Sequence, residues 1–239
     1  MAITYRTALN RVLALIGEEQ IDSGSSQLTE TYYQLLGAMM NDIKEQIEDA
    51  HNWRALRTTT NVTISAGAVS ATISGATERS RVLRMVQSEK QFGGVTPLVF
   101  DITDANTPDP LQELDLSELI YRDTVDPDTR VTYPTYFAVD NSAGDQLDLY
   151  VWPRPTADRT IKVVLVTPQA YLEDTDLATE ITIPHRPLIA GTIWYALEER
   201  GEELGINGIY NEQRYLDALN SAIARDSAEQ GDSFELVIG

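Results

Sequence analysis

The sequence predicts an α+β protein: a helical bundle, built from an N-terminal helical hairpin and C-terminal helices, into which an antiparallel β-sheet or sandwich is inserted. Three observations predict it. Apolar residues recur at steps of three or four between Ser26 and Arg57, the period changes to two from Thr58, and the helical period returns after Pro184. The expected division is residues 1–57 and 184–228 as the helical domain, 58–183 as the β insertion and 229–239 as a C-terminal tail.

The first expected helix covers residues 4–16, with Tyr5, Leu9, Val12, Leu13 and Ile16 on one side, Thr4 as its cap and Gly17 as its stop. The polar stretch Glu18–Ser26 contains SGSS, a turn that folds this helix back antiparallel against the next. That second helix is expected over residues 27–54, about 40 Å at ~1.5 Å per residue. Leu28, Tyr32, Leu36, Met39, Ile43, Ile47 and Ala50 share one face, and Asn41, Lys44, Glu45 and Glu48 point away. A rod longer than a small domain needs for its own core implies a further packing partner. His51, Asn52 and Trp53 end the run of strong helix formers before the β-favouring Thr58, Thr59 and Thr60.

In the β part, Val62 and Ile64, then Val69, Ala71 and Ile73, alternate with polar residues around Ala66-Gly67, the pattern of a hairpin. Ser80–Ser88 reads as a third strand and Pro97–Ile102 as a fourth. The Asp- and Pro-rich excursion Asp101–Asp128 holds a short helix around Leu111, Leu114 and Leu119. Thr135–Val139 and Leu147–Trp152 flank a DNSAGD loop, and Arg159–Thr167, nearly continuous in apolar residues, is expected to be the most buried strand. Pro184 and Pro187 open a helix that Gly201 closes; Asn207-Gly208 is a further break, and Ile209, Leu216, Leu219 and Ile223 stripe a last helix to about Ala228.

Composition excludes several functions. A net charge of −19, with 37 carboxylates against 18 basic residues, repels nucleic-acid phosphates and anionic membranes. The absence of cysteine excludes disulfides and thiolate metal sites. The N-terminal apolar run, interrupted by Arg6, Asn10 and Arg11, is too short for a signal peptide, and no stretch of 18 apolar residues occurs, so the expected product is intracellular and bound to no membrane. Catalytic signatures are equally thin. Glu48 and His51 form a lone Glu-x-x-His pair without further ligands, and His185 stands alone, so both histidines read as interfacial structural residues. Asp101, Asp104, Asn106 and Asp109 lack calcium-loop spacing, and the FGGV of Phe92–Val95 lacks the lysine and serine of a phosphate loop. No G-x-S-x-G or dinucleotide fingerprint occurs. No enzyme activity, cofactor or metal is therefore expected. Trp53 and Trp194 read as residues of the junction between helices and sheet.

The order of elements, together with IEDAHNWRALRTTTNVT, PTYFAVDNS, LDLYVWPRP and LIAGTIWYALEERGEELG, resembles phage head-to-tail adaptor proteins, the tail tubular protein A group of short-tailed phages among them. The resemblance implies a virion neck protein made in the host cytoplasm. It implies a ring beneath the portal protein, usually of twelve copies, that extends the DNA channel, carries the tail nozzle or next neck protein, and lets genomic DNA pass without specific binding. In that setting Asn41, Lys44, Glu45 and Glu48 are the candidate inter-subunit residues. Phe234, Leu236, Val237 and Ile238 are the candidate portal-binding residues of the tail. Two other classes compete: a phage-associated glycan hydrolase using paired carboxylates, and a free-standing acidic β-sandwich binding module.

Overall fold

A computed structural model describes residues 3–86, 95–104, 109–141, 146–201 and 206–229. The chain divides into two compact units, one formed by the residues up to Leu56 together with those from Gln169 onward, the other by Arg57–Pro168. Residues 169–183, expected in the β part, thus group with the helices.

The first unit is built on four helices: α1 (Tyr5–Ile16), α2 (Thr31–Ala50), α4 (His185–Glu199) and α5 (Ile206–Glu229). The Thr4 side chain accepts the Thr7 N–H at the start of α1, and Gly17, at φ 79°, ends it in the left-handed conformation glycine adopts without a Cβ penalty. Helix α4 is the centre of the bundle, packing against α1, α2 and α5. Small residues permit this. A Cβ on Gly191 would stand 2.7 Å from Ile43 Cγ2 and 3.0 Å from Tyr215 Cδ2, so the α4 backbone runs closer to α2 and α5 than any side chain would allow. The chain around α2 is extended at both ends, which corrects the expected 27–54 span: 20 residues make about 30 Å of helix. Leu28 lies outside the helix, its N–H donated to Asp174 O, and the Trp53 indole N–H turns back onto Ile47 O. Asn207 and Gly208, expected as a break, fall inside α5.

The second unit is a two-sheet sandwich carrying helix α3 (Leu116–Val125), which Asp115 caps by accepting the Ser117 N–H. In one sheet Arg159–Val166 is central, antiparallel to Arg57–Ile64 over eight residue pairs and to Val99–Asp101 and Arg81–Val82 on its other edge. The other runs Ser70–Thr72, Asp148–Trp152, Tyr136–Asp140, Gln112–Glu113. The last pairing is parallel, as is Arg130–Val131 with Arg154–Pro155, a departure from the all-antiparallel expectation. Val62, Ile64, Val99, Ile161 and Val163 from one sheet meet Phe137, Leu149 and Val151 from the other in a closed apolar core. Burial in Arg159–Val166 alternates until its last residues, because Thr160, Lys162 and Val164 occupy the opposite face.

Candidate functional site

Two polar features of the helical unit stand out. On α2, Gln34, Asn41, Lys44 and Glu48 follow one another at helical spacing and face the segment 169–183, a strap with two tight turns. Asn41 reads both main-chain groups of Leu172: its Nδ2 donates to Leu172 O and its Oδ1 accepts the Leu172 N–H, each at 3.0 Å. Lys44 Nζ donates to Gln169 O at 2.8 Å, and Glu48 Oε1 accepts the Gln169 N–H at 3.1 Å and the Lys44 ammonium at 3.2 Å. Gln34 Nε2 reaches Asp174 Oδ2 at 3.0 Å. The Gln169 side chain donates to Glu180 O and accepts from the Thr182 N–H, so this strap is also tied along its own length. Ile3–Thr4 then pairs antiparallel with Glu180–Ile181.

This overturns the expected outward orientation of Asn41, Lys44 and Glu48, which are 1%, 1% and 0% exposed. Helical periodicity sorts residues by hydropathy alone, and these polar groups are buried because each meets a main-chain or charged partner there. Glu45 alone of the four is exposed.

The second feature is a cleft between the start of α4 and one side of α5, reaching α1. It consists of two adjoining hollows that share His185, Arg186, Ala218 and Ser221: Arg11 and Arg214 line one, and Arg225 lines the other together with Glu180. Its floor is apolar, from Ile189, Ile193 and Ala218, and Tyr210, 68% exposed, stands at its rim. Asp217 also lines it, held by Gln213 at 3.0 Å, and Asp226 at the far end accepts from His51 Nε2 at 3.0 Å. No hydrogen bond or ion pair involves the guanidinium of any of the four arginines among the described residues. Elsewhere Arg84 is paired with Glu113, Arg122 with Glu118, Arg154 with Asp123 and Arg200 with Glu18. Burial, then the positive charge of Arg11, holds the His185 imidazole below its usual range, so it stays neutral more readily than a free histidine. Four guanidiniums that make no ion pair among the described residues, beside the carboxylates of Asp217, Glu180 and Asp226, leave donors over for an anionic group.

The remaining predicted residues fall as follows. Trp53 is buried, its indole edge-on to His51, and Trp194 stacks on Tyr215; these contacts lie within the helical unit. Glu48 and His51 face different partners, Lys44 and Gln169 in one case and Asp226 in the other. Asp101 is buried, accepting the Thr103 N–H at 2.9 Å, while Asn106 lies outside the described residues. Gly93 and Gly94, and all of Phe234, Leu236, Val237 and Ile238, also lie outside them. Among the described residues no group of three His, Asp or Glu could hold a metal ion, and no helix is long and apolar enough to cross a membrane. The four cleft arginines escape sequence reasoning because they come from three separate helices. Their only local signal is the placement of Arg214 and Arg225 eleven residues apart, three turns along one side of α5.

Residues 3–235 of the chain match a family model described as SU10 adaptor protein. No curated protein sequence matches the chain.

Proposed function

The chain belongs to the SU10 adaptor protein family, and from that premise we propose that it is a structural head-to-tail adaptor of a phage neck. In this reading copies form a ring, of twelve as expected from the resemblance, below the portal protein. The ring extends the DNA channel and attaches the tail through the nozzle or next neck protein. The observation that carries the reading is the extent of the family match, which takes in both compact units.

Charge supports a passive channel. With a net charge of −19, phosphates of a sliding duplex meet mostly carboxylates, so the counterion release that makes DNA adhere to basic proteins is largely missing. The helical unit and the tail, with Phe234, Leu236, Val237 and Ile238 adding as a strand, are assigned to the portal side. The β unit is assigned to the tail side. There α3 exposes Ile120 at 48%, Tyr121 at 67% and Val125 at 64%, an apolar surface suited to a protein partner.

Electron cryo-microscopy of purified virions tests this directly. The expected result is a closed annulus of this chain between capsid vertex and tail, and density for it anywhere else overturns the assignment. Incubating the protein with cell-envelope glycans separates the hydrolase alternative: no release of sugar is expected, whereas release that is lost on single Asp or Glu replacements would make it an enzyme.

A further inference from the structure

In the cleft between α4 and α5, four arginines make no ion pair among the described residues although Asp217, Glu180 and Asp226 stand in the same lining, which is out of keeping with a sequence in which acids outnumber bases two to one. They also surround an apolar floor, the combination found at protein interfaces, where arginine and aromatic residues are enriched.

The same unit carries a surface of matching character. Leu35, Ala38, Asp42, Glu45 and Asp49 recur at steps of three and four along α2, a stripe distinct from the buried one that holds the strap. Leu35 is 41% exposed and the three carboxylates are exposed. From Leu35 to Asp49 the stripe measures about 21 Å, and the α5 wall of the cleft from Tyr210 to Arg225 measures about 22 Å, at ~1.5 Å per residue. One surface ends in carboxylates and begins with leucine; the other offers guanidiniums over Ile189 and Ile193.

We propose that the cleft between α4 and α5 receives the acidic stripe of α2 from a second copy of this chain. The contact is heterologous, since the two surfaces lie on different helices. Repeated from copy to copy it closes into a ring or runs into a filament. It also explains how subunits of like net charge come together: the arginines relieve the repulsion where the two surfaces meet. The inference rests on the adaptor-ring reading and assigns the surfaces that would make that ring.

Charge exchange tests it, using the full chain. Arg186→Glu with Arg214→Glu makes both surfaces acidic, and Asp42→Lys with Glu45→Lys makes both basic. Mass in solution, measured with and without purified portal rings, is expected to show a ring for the unaltered chain and association weakened about tenfold or more for each variant alone. An equimolar mixture of the two restores every contact in alternation, so rings with equal numbers of both are expected, and this rescue also shows that both variants are folded. Rings formed by either variant alone as readily as by the unaltered chain would overturn the proposal while leaving the ring intact, as would variants that stay apart when mixed. If the arginine variant keeps its ring but loses retention of a short DNA duplex that the unaltered chain retains, the cleft is a phosphate site and the proposal fails. An unaltered chain that remains monomeric under both conditions sinks the ring reading itself.

Discussion

The sandwich and the helical unit are held by different kinds of contact. In the sandwich, Phe137, Leu149, Val151, Ile161 and Val163 meet in a cluster whose requirements are volume and apolarity. In the helical unit, α2 uses Asn41, Lys44 and Glu48 to bind named amides and carbonyls of the strap. Apolar packing tolerates small shifts, whereas Asn41 accepts one register only, because sliding the strap by one residue removes both hydrogen bonds to Leu172. Fit in the first case is a matter of shape and in the second a matter of address.

The largest expected effect comes from breaking the addressed contact. Glu48→Ala leaves the Lys44 ammonium buried without its carboxylate and the Gln169 N–H without its acceptor, at a cost of about 3–5 kcal/mol. Urea unfolding should show the loss, and hydrogen exchange should place it at the Gln169 and Leu172 amides before the sandwich amides respond.

Next is the helix crossing. Gly191→Ala drives a methyl into Ile43 Cγ2 and Tyr215, and the expected net destabilisation is about 1–3 kcal/mol despite alanine's better helix propensity. A lowered Tm checks it, and because the two side chains would compete for the same space, Gly191→Ala with Ile43→Ala in one chain is expected to cost less than the sum of the two single changes.

A reciprocal pair sharpens the comparison. Val163→Thr, nearly isosteric, buries a hydroxyl in the apolar cluster and should cost about 1–3 kcal/mol. Thr192→Val, at a fully buried position of α4 whose hydroxyl donates to its own helix at Leu188 O, should cost less than about 1 kcal/mol. Equal costs in denaturant titrations would mean that the two units do not differ in the way described.

The smallest effect concerns His185. Because burial and Arg11 depress its proton affinity, the unfolded chain binds the proton first as pH falls, so His185 withdraws stability on acidification below the ordinary histidine range near pH 6.5. NMR titration should give His185 a midpoint below that range, and a midpoint at or above it would contradict the environment described.

Much of this architecture was legible in the residues. Thr4 and Gly17 bracket α1 as their types predict, and the change of period at Thr58 marks the chain's passage into strand. What escaped was non-local. Asn41, Lys44 and Glu48 look solvent-facing because the main chain that satisfies them lies more than a hundred residues further on. Periodicity overruns the start of α2 for a related reason: Leu28 continues the apolar period, yet its N–H is claimed by Asp174 O. The arginine cleft likewise exists only once α1, α4 and α5 are brought together.

The pairing of Ile3–Thr4 with Glu180–Ile181 bears on biosynthesis. As the polypeptide leaves the ribosome, residues 57–168 form a contiguous stretch that can collapse as soon as it emerges, while everything before Leu56 must wait for Gln169 and beyond. The part translated first is therefore the part completed last. A nascent chain halted before the strap would carry a finished sandwich behind an N-terminal segment still without its closing partners.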